Sequence, residues 1–576
     1  MEVRKLVYTR LKKKLCQHLF VVIFSILFLF LIFVLFITNR KQVYKHSEAS
    51  PFDLHHDHAR GHTNFRYGVI IDCGSSGSRV FVYYWPPHTG GKHELLQIQQ
   101  MVDLDGTPVR KKIKPGISSF ADNPQNASSS LRSLLDFASH HVPHAKHHET
   151  PLYILATAGM RLVALEKQKA IMKNIINNVP LMSDFYFTES HAEVITGKQE
   201  GIYLWIATNY ILGRFDHTHD VSTTPASSVS YVVRKQTVGT IEIGGASLQI
   251  AYEVPENRSV SPDLSARINL GCDTHQTTHE YQIYVTTFLG YGTDRARRRY
   301  VQKIANEHSD KITAHDVVFD PCLPLEMISE EKYKDIKFKV TGSGEFVKCQ
   351  ESLTALLNLT VPCSSTPCSL NGVHQSPVDY DNAEFYGFAE FWYSSNDVWH
   401  IGGLYDDEKL EAAANSFCSR KWSLHRLHYA KGLYPKADEY RFKYQCFKAA
   451  WMTVVLHKGL KFPKDFKKLT TVQMIKGKEV QWTLGAILYR TRFMPLRDMS
   501  IDKVQSSKAQ HGYFGNVIVH RGFYAILALC CAIIFIAVYI YYRKMNRYSL
   551  PIAYVKTSDL KELNLKDQPL DIRFAV

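Results

Sequence analysis

No CxxC pair with matching histidines occurs in this 576-residue chain, although it has eleven cysteines. That gap argues against a zinc module and leaves zinc only as the rival to disulfide pairing. Charge is missing from two long stretches, the 19 residues Leu19 to Ile37 and the 20 residues Phe523 to Tyr542. About 20 apolar residues cross a bilayer core, so both read as transmembrane helices. The first also lacks an A-x-A-like cleavage site close behind it. Its core is too long and too uniformly bulky for a cleaved signal peptide, the alternative reading.

Charge of negative sign is in short supply: 69 Lys and Arg face 54 Asp and Glu, a net +15. The excess has a topological cause. Residues 1–18 hold six Lys/Arg against one Glu, and residues 543–576 hold seven against four acids. The positive-inside bias puts both tails in the cytosol and residues 38–522 on the other side. The tails account for +5 and +3, leaving +7, so no nucleic-acid partner is needed to explain the high pI. Three sequons, at Asn126, Asn257 and Asn358, fall between the two spans, as a lumenal or extracellular glycoprotein requires. Eight cysteines share that disulfide-permissive side. Cys363 and Cys368 are close enough for a local bridge, and Cys322–Cys349 and Cys418–Cys446 are candidates for longer ones.

What is present is organised around GVIIDCGSSGSRVFVYYW, Gly68 to Trp85. An apolar run ends in Asp72, a turn of small residues follows (Gly74, Ser75, Ser76, Gly77, Ser78), and alternation resumes at Val80. This reads as two strands joined by a turn whose amides can close round an anion, with Asp72 able to hold a cation beside it. The layout recurs 170 residues on in GTIEIGGASLQIAYEV, with Glu242 as the acid and Gly244, Gly245, Ala246 and Ser247 as the turn. A repeat of this kind predicts a duplicated lobe, and two such hairpins facing across a cleft make a clamp for a polyphosphate and its metal.

In chain order, residues 38–64 read as a polar stalk. Its HHDHARGH string, like SHHVPHAKHH near residue 140, could bind a metal, but solvated loop histidines are the simpler reading because neither string sits on a predicted rigid element. A basic turn follows the first hairpin (Arg110 to Phe120). Ala127 to Phe137 reads as a helix, and LYILATAGMRL as a buried strand breaking at Thr157-Ala158-Gly159. That break is either a close approach to a ligand or an ordinary strand-to-helix turn. Lys167 to Asn178 reads as an amphipathic helix. His191 to Gly213 is a turn running into an apolar helix with Glu200 near its start; taken alone, such a glutamate is a cap or dipole partner. Residues 214–235 read as a polar connection. Glu384 to Trp399 packs seven aromatics into sixteen residues on an expected helix, most of them core. Val480 to Arg492 reads as the last helix before the linker.

Five motifs in order, IIDCGSSGSR, LATAGMRL, ITGKQEGIYLWIATNYILG, IEIGGASLQIAY and QWTLGAILY, resemble the apyrase family, the nucleoside triphosphate diphosphohydrolases. The resemblance covers about residues 65 to 495. With the two spans, FLGYG and LGCDTHQ, it is nearest the Golgi and lysosomal apyrase-like branch. It implies an α/β fold of two actin-like (RNase H-like) lobes with the active site between them. Lobe I would be 65–190, completed by about 465–497, lobe II 191–464, and 498–522 a linker to the span 523–542. It implies hydrolysis of terminal phosphates with Ca²⁺ or Mg²⁺ and no phosphoenzyme. Glu200 would be the general base, and Ser247 and Gln249 would position the water. Asp72 and Glu242 would hold the metal through its own waters. The amides of Ser75 to Ser78 and Gly244 to Ala246 would take phosphate oxygens, Thr157 and Ala158 would line the cleft, and Tyr393 and Arg441 would sandwich the base.

Two departures stand out. The second acid is usually aspartate, and here it is Glu242. Gly77 stands where cell-surface relatives often have histidine, which favours the intracellular branch and nucleoside diphosphates such as UDP and GDP. The resulting expectation is a multi-pass hydrolase of the Golgi or lysosomal/endosomal membrane, with its active domain lumenal and room for homo-oligomers through the spans. The competing readings are a nucleotide-sensing scaffold that lost turnover through Glu242, and a kinase or exopolyphosphatase on the same superfold.

Overall fold

The computed structural model describes residues 65–493, except 88–94, 217, 225–226, 272–278, 309–317 and 335, together with positions 536, 539, 540 and 543. The stalk, the linker, the N-terminal tail, the C-terminal tail beyond Arg543, the apolar run 19–37 and nearly all of the run 523–542 lie outside the described residues. Among the described residues no helix is long and apolar enough to cross a membrane.

The first sheet grows from the first hairpin. Strands β1 (Arg66–Gly74) and β2 (Gly77–Trp85) pair antiparallel around the two-residue turn Ser75-Ser76, with Asp72 opposite Arg79. The run is apolar almost throughout because both faces are buried. Ile70, Phe81 and Tyr83 face a core shared with the rest of the molecule, while Val69, Ile71 and Val80 face an outer core under the helix Leu165–Asn178. Strands β3 (Gln99–Gln100) and β4 (Arg110–Ile113) flank β2, and β5 (Leu152–Ala156) and β6 (Ala192–Val194) continue the sheet in parallel, giving the order β3-β2-β1-β5-β6. The polar stretch 214–235 is not a bare connection: its backbone pairs β7 (Thr218–Thr224) with β8 (Ser227–Val233).

The second sheet repeats the plan. Strands β9 (Gly239–Ile243) and β10 (Ser247–Glu253) form the hairpin, β11 (Ser265–Asn269) and β12 (Glu280–Leu289) extend it, and β13 (Val318–Asp320), β14 (Ile328–Tyr333) and β15 (Ile336–Gly342) form a small side sheet. Then β16 (Phe385–Ala389) joins β9 in parallel, β17 (Gly403–Leu404) and β18 (Leu469–Thr471) complete the edge, and β19 (Met474–Ile475) pairs with β20 (Lys478–Glu479). An acid-bearing strand thus has an antiparallel partner on one side and a parallel strand on the other in both sheets.

The aromatic stretch Glu384 to Trp399 departs from expectation. It is the strand β16 followed by a helix, Glu390–Asn396, not a single helix. A central parallel strand is apolar on both faces, so periodicity cannot separate it from a buried helix.

Between the sheets lie two helices, Gly197–Leu212 and Trp482–Thr491. The first opens with a capping box of Thr196 and Gln199 and stops at Gly213, whose φ of 72° is left-handed. The two touch backbone to side face: a Cβ on Gly485 would lie 1.8 Å from the carbonyl oxygen of Tyr203. Alanine gains about 0.5–1 kcal/mol over glycine inside a helix, whereas overpacking costs about 1–3 kcal/mol, so the clash decides the sign. Gly485→Ala is expected to lower the unfolding midpoint, measured by thermal denaturation.

Among the described residues three disulfides are present, Cys322–Cys349, Cys363–Cys368 and Cys418–Cys446. Cys73 is free and buried, its thiol pushed up to about 12 by that burial. Asn126, Asn257 and Asn358 are all exposed.

Candidate active site

The turns of the two hairpins meet. A Cβ built on Gly245 would lie 3.2 Å from Ser75 Oγ, so the loops confront each other across a cleft of about 390 Å³. That size suits a small organic ligand. Each turn is backed by a glycine that lets the backbone come close: a Cβ on Gly116 or on Gly292 would lie 2.3 Å from Gly74 O or Ala246 N respectively. The carbonyls of Gly244 and Gly245 are taken by the amides of Thr293 and Asp294 at the start of the next helix, at 2.8 and 3.0 Å.

Asp72 and Glu242 both line this cleft, and Glu200 enters it from the first turn of the buried Gly197–Leu212 helix. Glu200 Oε2 accepts from Arg161 Nη2 at 2.8 Å and from Gln249 Nε2 at 3.1 Å, and neither bond falls on Oε1. Gln249 Nε2 also donates to Ser247 Oγ at 2.7 Å. Burial raises the Glu200 pKa, with the Arg161 charge and hydrogen bond opposing it. Burial pushes Asp72 up to about 6 against the pull of Arg79, which stands 3.8 Å away. Burial, then the charges of Glu200 and Asp72, push Glu242 up to about 8. Asp72 Oδ1 and Glu242 Oε2 are buried without a hydrogen-bond partner. Crowded, partly unpartnered carboxylates are the donor set a hard divalent cation prefers.

Gly74, Ser75, Ser76, Thr157, Ala158, Gly244, Gly245, Ala246, Ser247, Tyr393 and Arg441 also line the cleft. Gly77 and Ser78 do not: they stand in β2, paired with Gly74 and Cys73. Arg441 stacks on Tyr393, its guanidinium 3.9 Å from the ring centre, and is tethered to Asp397 at 2.9 Å. A larger cavity, about 670 Å³, opens near β3 and Tyr210. No such convergence of buried carboxylates and turn amides marks it, so the smaller cleft is the candidate site.

Several residues that line the cleft or bond to Glu200 escape a reading of the sequence. Arg161 sits inside the LATAGMRL motif without a role there. Arg79 pairs with Lys112 across β2 and β4, and both line the cleft with Lys114. Lys112 is brought down to about 8 by burial and by the charges of Arg79, Lys114 and Arg441. The basic turn is the only sequence signal for this wall.

A family model described as GDA1/CD39 (nucleoside phosphatase) matches residues 58–507. The chain belongs to the GDA1/CD39 family. It is 46% identical over 502 residues to ectonucleoside triphosphate diphosphohydrolase 7 of Homo sapiens, covering 84% of this chain and 82% of the relative. The corresponding figures for ectonucleoside triphosphate diphosphohydrolase 4 of Homo sapiens are 45% over 509 residues, 84% and 82%. For the nucleoside-diphosphatase mig-23 of Caenorhabditis elegans they are 38% over 474 residues, 81% and 85%. Among solved structures, nucleoside triphosphate hydrolases from Neospora caninum share the fold, with a TM-score of 0.53 at 15% identity over 80% of this chain and 96% of that one. As a GDA1/CD39 member the protein is a nucleoside phosphatase and a hydrolase.

Proposed function

We propose that this GDA1/CD39 protein removes the terminal phosphate of nucleoside di- and triphosphates, UDP and GDP among them, by attack of water with Glu200 as general base. The observation that carries the reading is the Glu200 carboxylate, buried and gripped on Oε2, with Oε1 left to accept a proton from water. A raised pKa makes it a stronger base than a solvated carboxylate. Ser247 and Gln249, joined to each other, hold that water in line with the phosphorus. Amides of the two turns take the phosphate oxygens, and Arg79, Lys112 and Lys114 balance their charge. Tyr393 and Arg441 offer planar surfaces to the base.

Asp72 and Glu242 would hold Ca²⁺ or Mg²⁺ through its waters, as their unpartnered oxygens allow. When bound, such a cation supplies charge neutralisation on the departing phosphate. The uncharged runs, the exposed sequon asparagines and the three disulfides support a multi-pass protein of the Golgi or lysosomal/endosomal membrane. Its catalytic part would be lumenal and both termini cytosolic. The name of the nematode relative, a nucleoside-diphosphatase, supports diphosphates as substrates.

The test is phosphate release by the full-length chain from UDP, GDP and ATP with Ca²⁺ or Mg²⁺. Release from UDP that disappears with a chelator is the expected result. A silent protein that gains turnover on Glu242→Asp would instead mark a nucleotide-sensing scaffold.

A further inference from the structure

On the outer side of the first sheet, His144, His147 and Asp184 bring their ligand atoms within 4.8 Å of one another. We propose that these three side chains form a zinc site, separate from the cleft, that clamps the segment entering β5.

By its sequence the histidine string sits on no predicted rigid element, and the fold supplies one. Residues His144–Glu149 form a short 3₁₀ helix, in which side chains three apart eclipse, so His144 and His147 project from one face. The third ligand comes from a different part of the chain, 37 residues beyond His147, and no spacing rule would find it.

The chemistry of the set selects the metal. Two imidazoles and a carboxylate suit zinc and its transition-metal neighbours, while Ca²⁺ and Mg²⁺ prefer all-oxygen sites. His147 is buried at 4% exposure, and its Nε2 lies 3.0 Å from the Val142 carbonyl. With Nε2 donating to that carbonyl, Nδ1 is the nitrogen left to take the metal. A ring nitrogen tied to a backbone carbonyl is the usual support of a zinc-bound histidine. His144 Nε2 stands 3.9 Å from Asp184 Oδ2, and both side chains are open to solvent, which leaves an entry path and room for a water as fourth ligand.

A metal here would join two segments that already meet. Tyr186, just past Asp184, donates its amide to Thr150 O at 2.9 Å and accepts from the Leu152 amide at 3.0 Å. Leu152 begins β5, and the far end of that strand carries Thr157 into the cleft. At about 3.3 Å per residue the start of β5, which the clamp would hold, lies roughly 17 Å from Thr157, so the clamp acts on stability and not on the reacting groups.

The experiment compares the full-length chain with His144→Ala/Asp184→Asn and with His144→Ala alone, all stripped with chelator and then titrated with zinc. Both altered residues are solvent-exposed, so folding is expected to survive; Ca²⁺-supported UDP hydrolysis at the wild-type rate serves as the check. The expected result is one zinc fewer bound per chain in the double variant, with loss of a zinc-dependent rise in unfolding midpoint that Ca²⁺ does not reproduce. Co²⁺ should give the wild type, and not the variant, the visible absorption of a four-coordinate site. Counting the difference between chains also separates this site from the HHDHARGH string. Equal zinc stoichiometry, or a midpoint rise that persists in the double variant, overturns the proposal.

Discussion

Glu200→Gln is expected to lower the kcat for UDP hydrolysis by about 10²–10⁴ while leaving the unfolding midpoint nearly unchanged. The substitution preserves shape and keeps an oxygen for Arg161, so packing at the start of the Gly197–Leu212 helix is retained. It removes the basic oxygen. The surroundings of this one group suit it to proton transfer, because burial raises its proton affinity while Arg161 limits the rise and fixes the orientation. Since the base acts only after binding, the loss should fall on kcat and leave KM close to the wild-type value. Phosphate release under saturating UDP, beside a thermal melt of the same sample, checks both halves. A variant with wild-type turnover would remove Glu200 from the chemistry.

With chelator present, the protein is expected to lose stability as pH rises from about 5 to about 9, opposite to the usual behaviour of a salt-bridged carboxylate. Burial holds Asp72 near 6 and Glu242 near 8, both above their unfolded values. A raised folded pKa stabilises fully below the unfolded pKa, and that contribution fades as pH climbs through the folded one. A pKa difference of one is worth about 1.4 kcal/mol, so the two carboxylates together remove on the order of several kcal/mol over this range. Added Ca²⁺ or Mg²⁺ should restore it, with the largest rise in midpoint at the alkaline end, where both groups are ionised. Melting curves across pH with and without cation check the sign. A stabilisation independent of pH would mean that the cation acts elsewhere.

Both hairpins are legible in the sequence because small-residue turns interrupt continuous apolar runs, and the recurrence at Asp72 and Glu242 announces the second sheet. What escapes is proximity created by the fold. Arg161 reaches Glu200, 39 residues later, only because β5 ends beside the start of the Gly197–Leu212 helix, and Lys112 reaches the cleft because β4 pairs with β2. Tertiary context also decides the stretch from Glu384 to Trp399, where aromatic density alone suits strand and helix equally. At the first turn the glycine–serine string reads as a single anion cradle. Its last two members, Gly77 and Ser78, are in fact spent on strand pairing.

Among the described residues every disulfide lies between Cys322 and Cys446, and four of the six partners sit in the outer core of the second sheet. These bridges therefore stiffen one half internally, and among the described residues none rivets it to the other. The joining of the two sheets is left to non-covalent packing around the paired central helices, and a mild reductant should loosen one half while leaving that packing as it was.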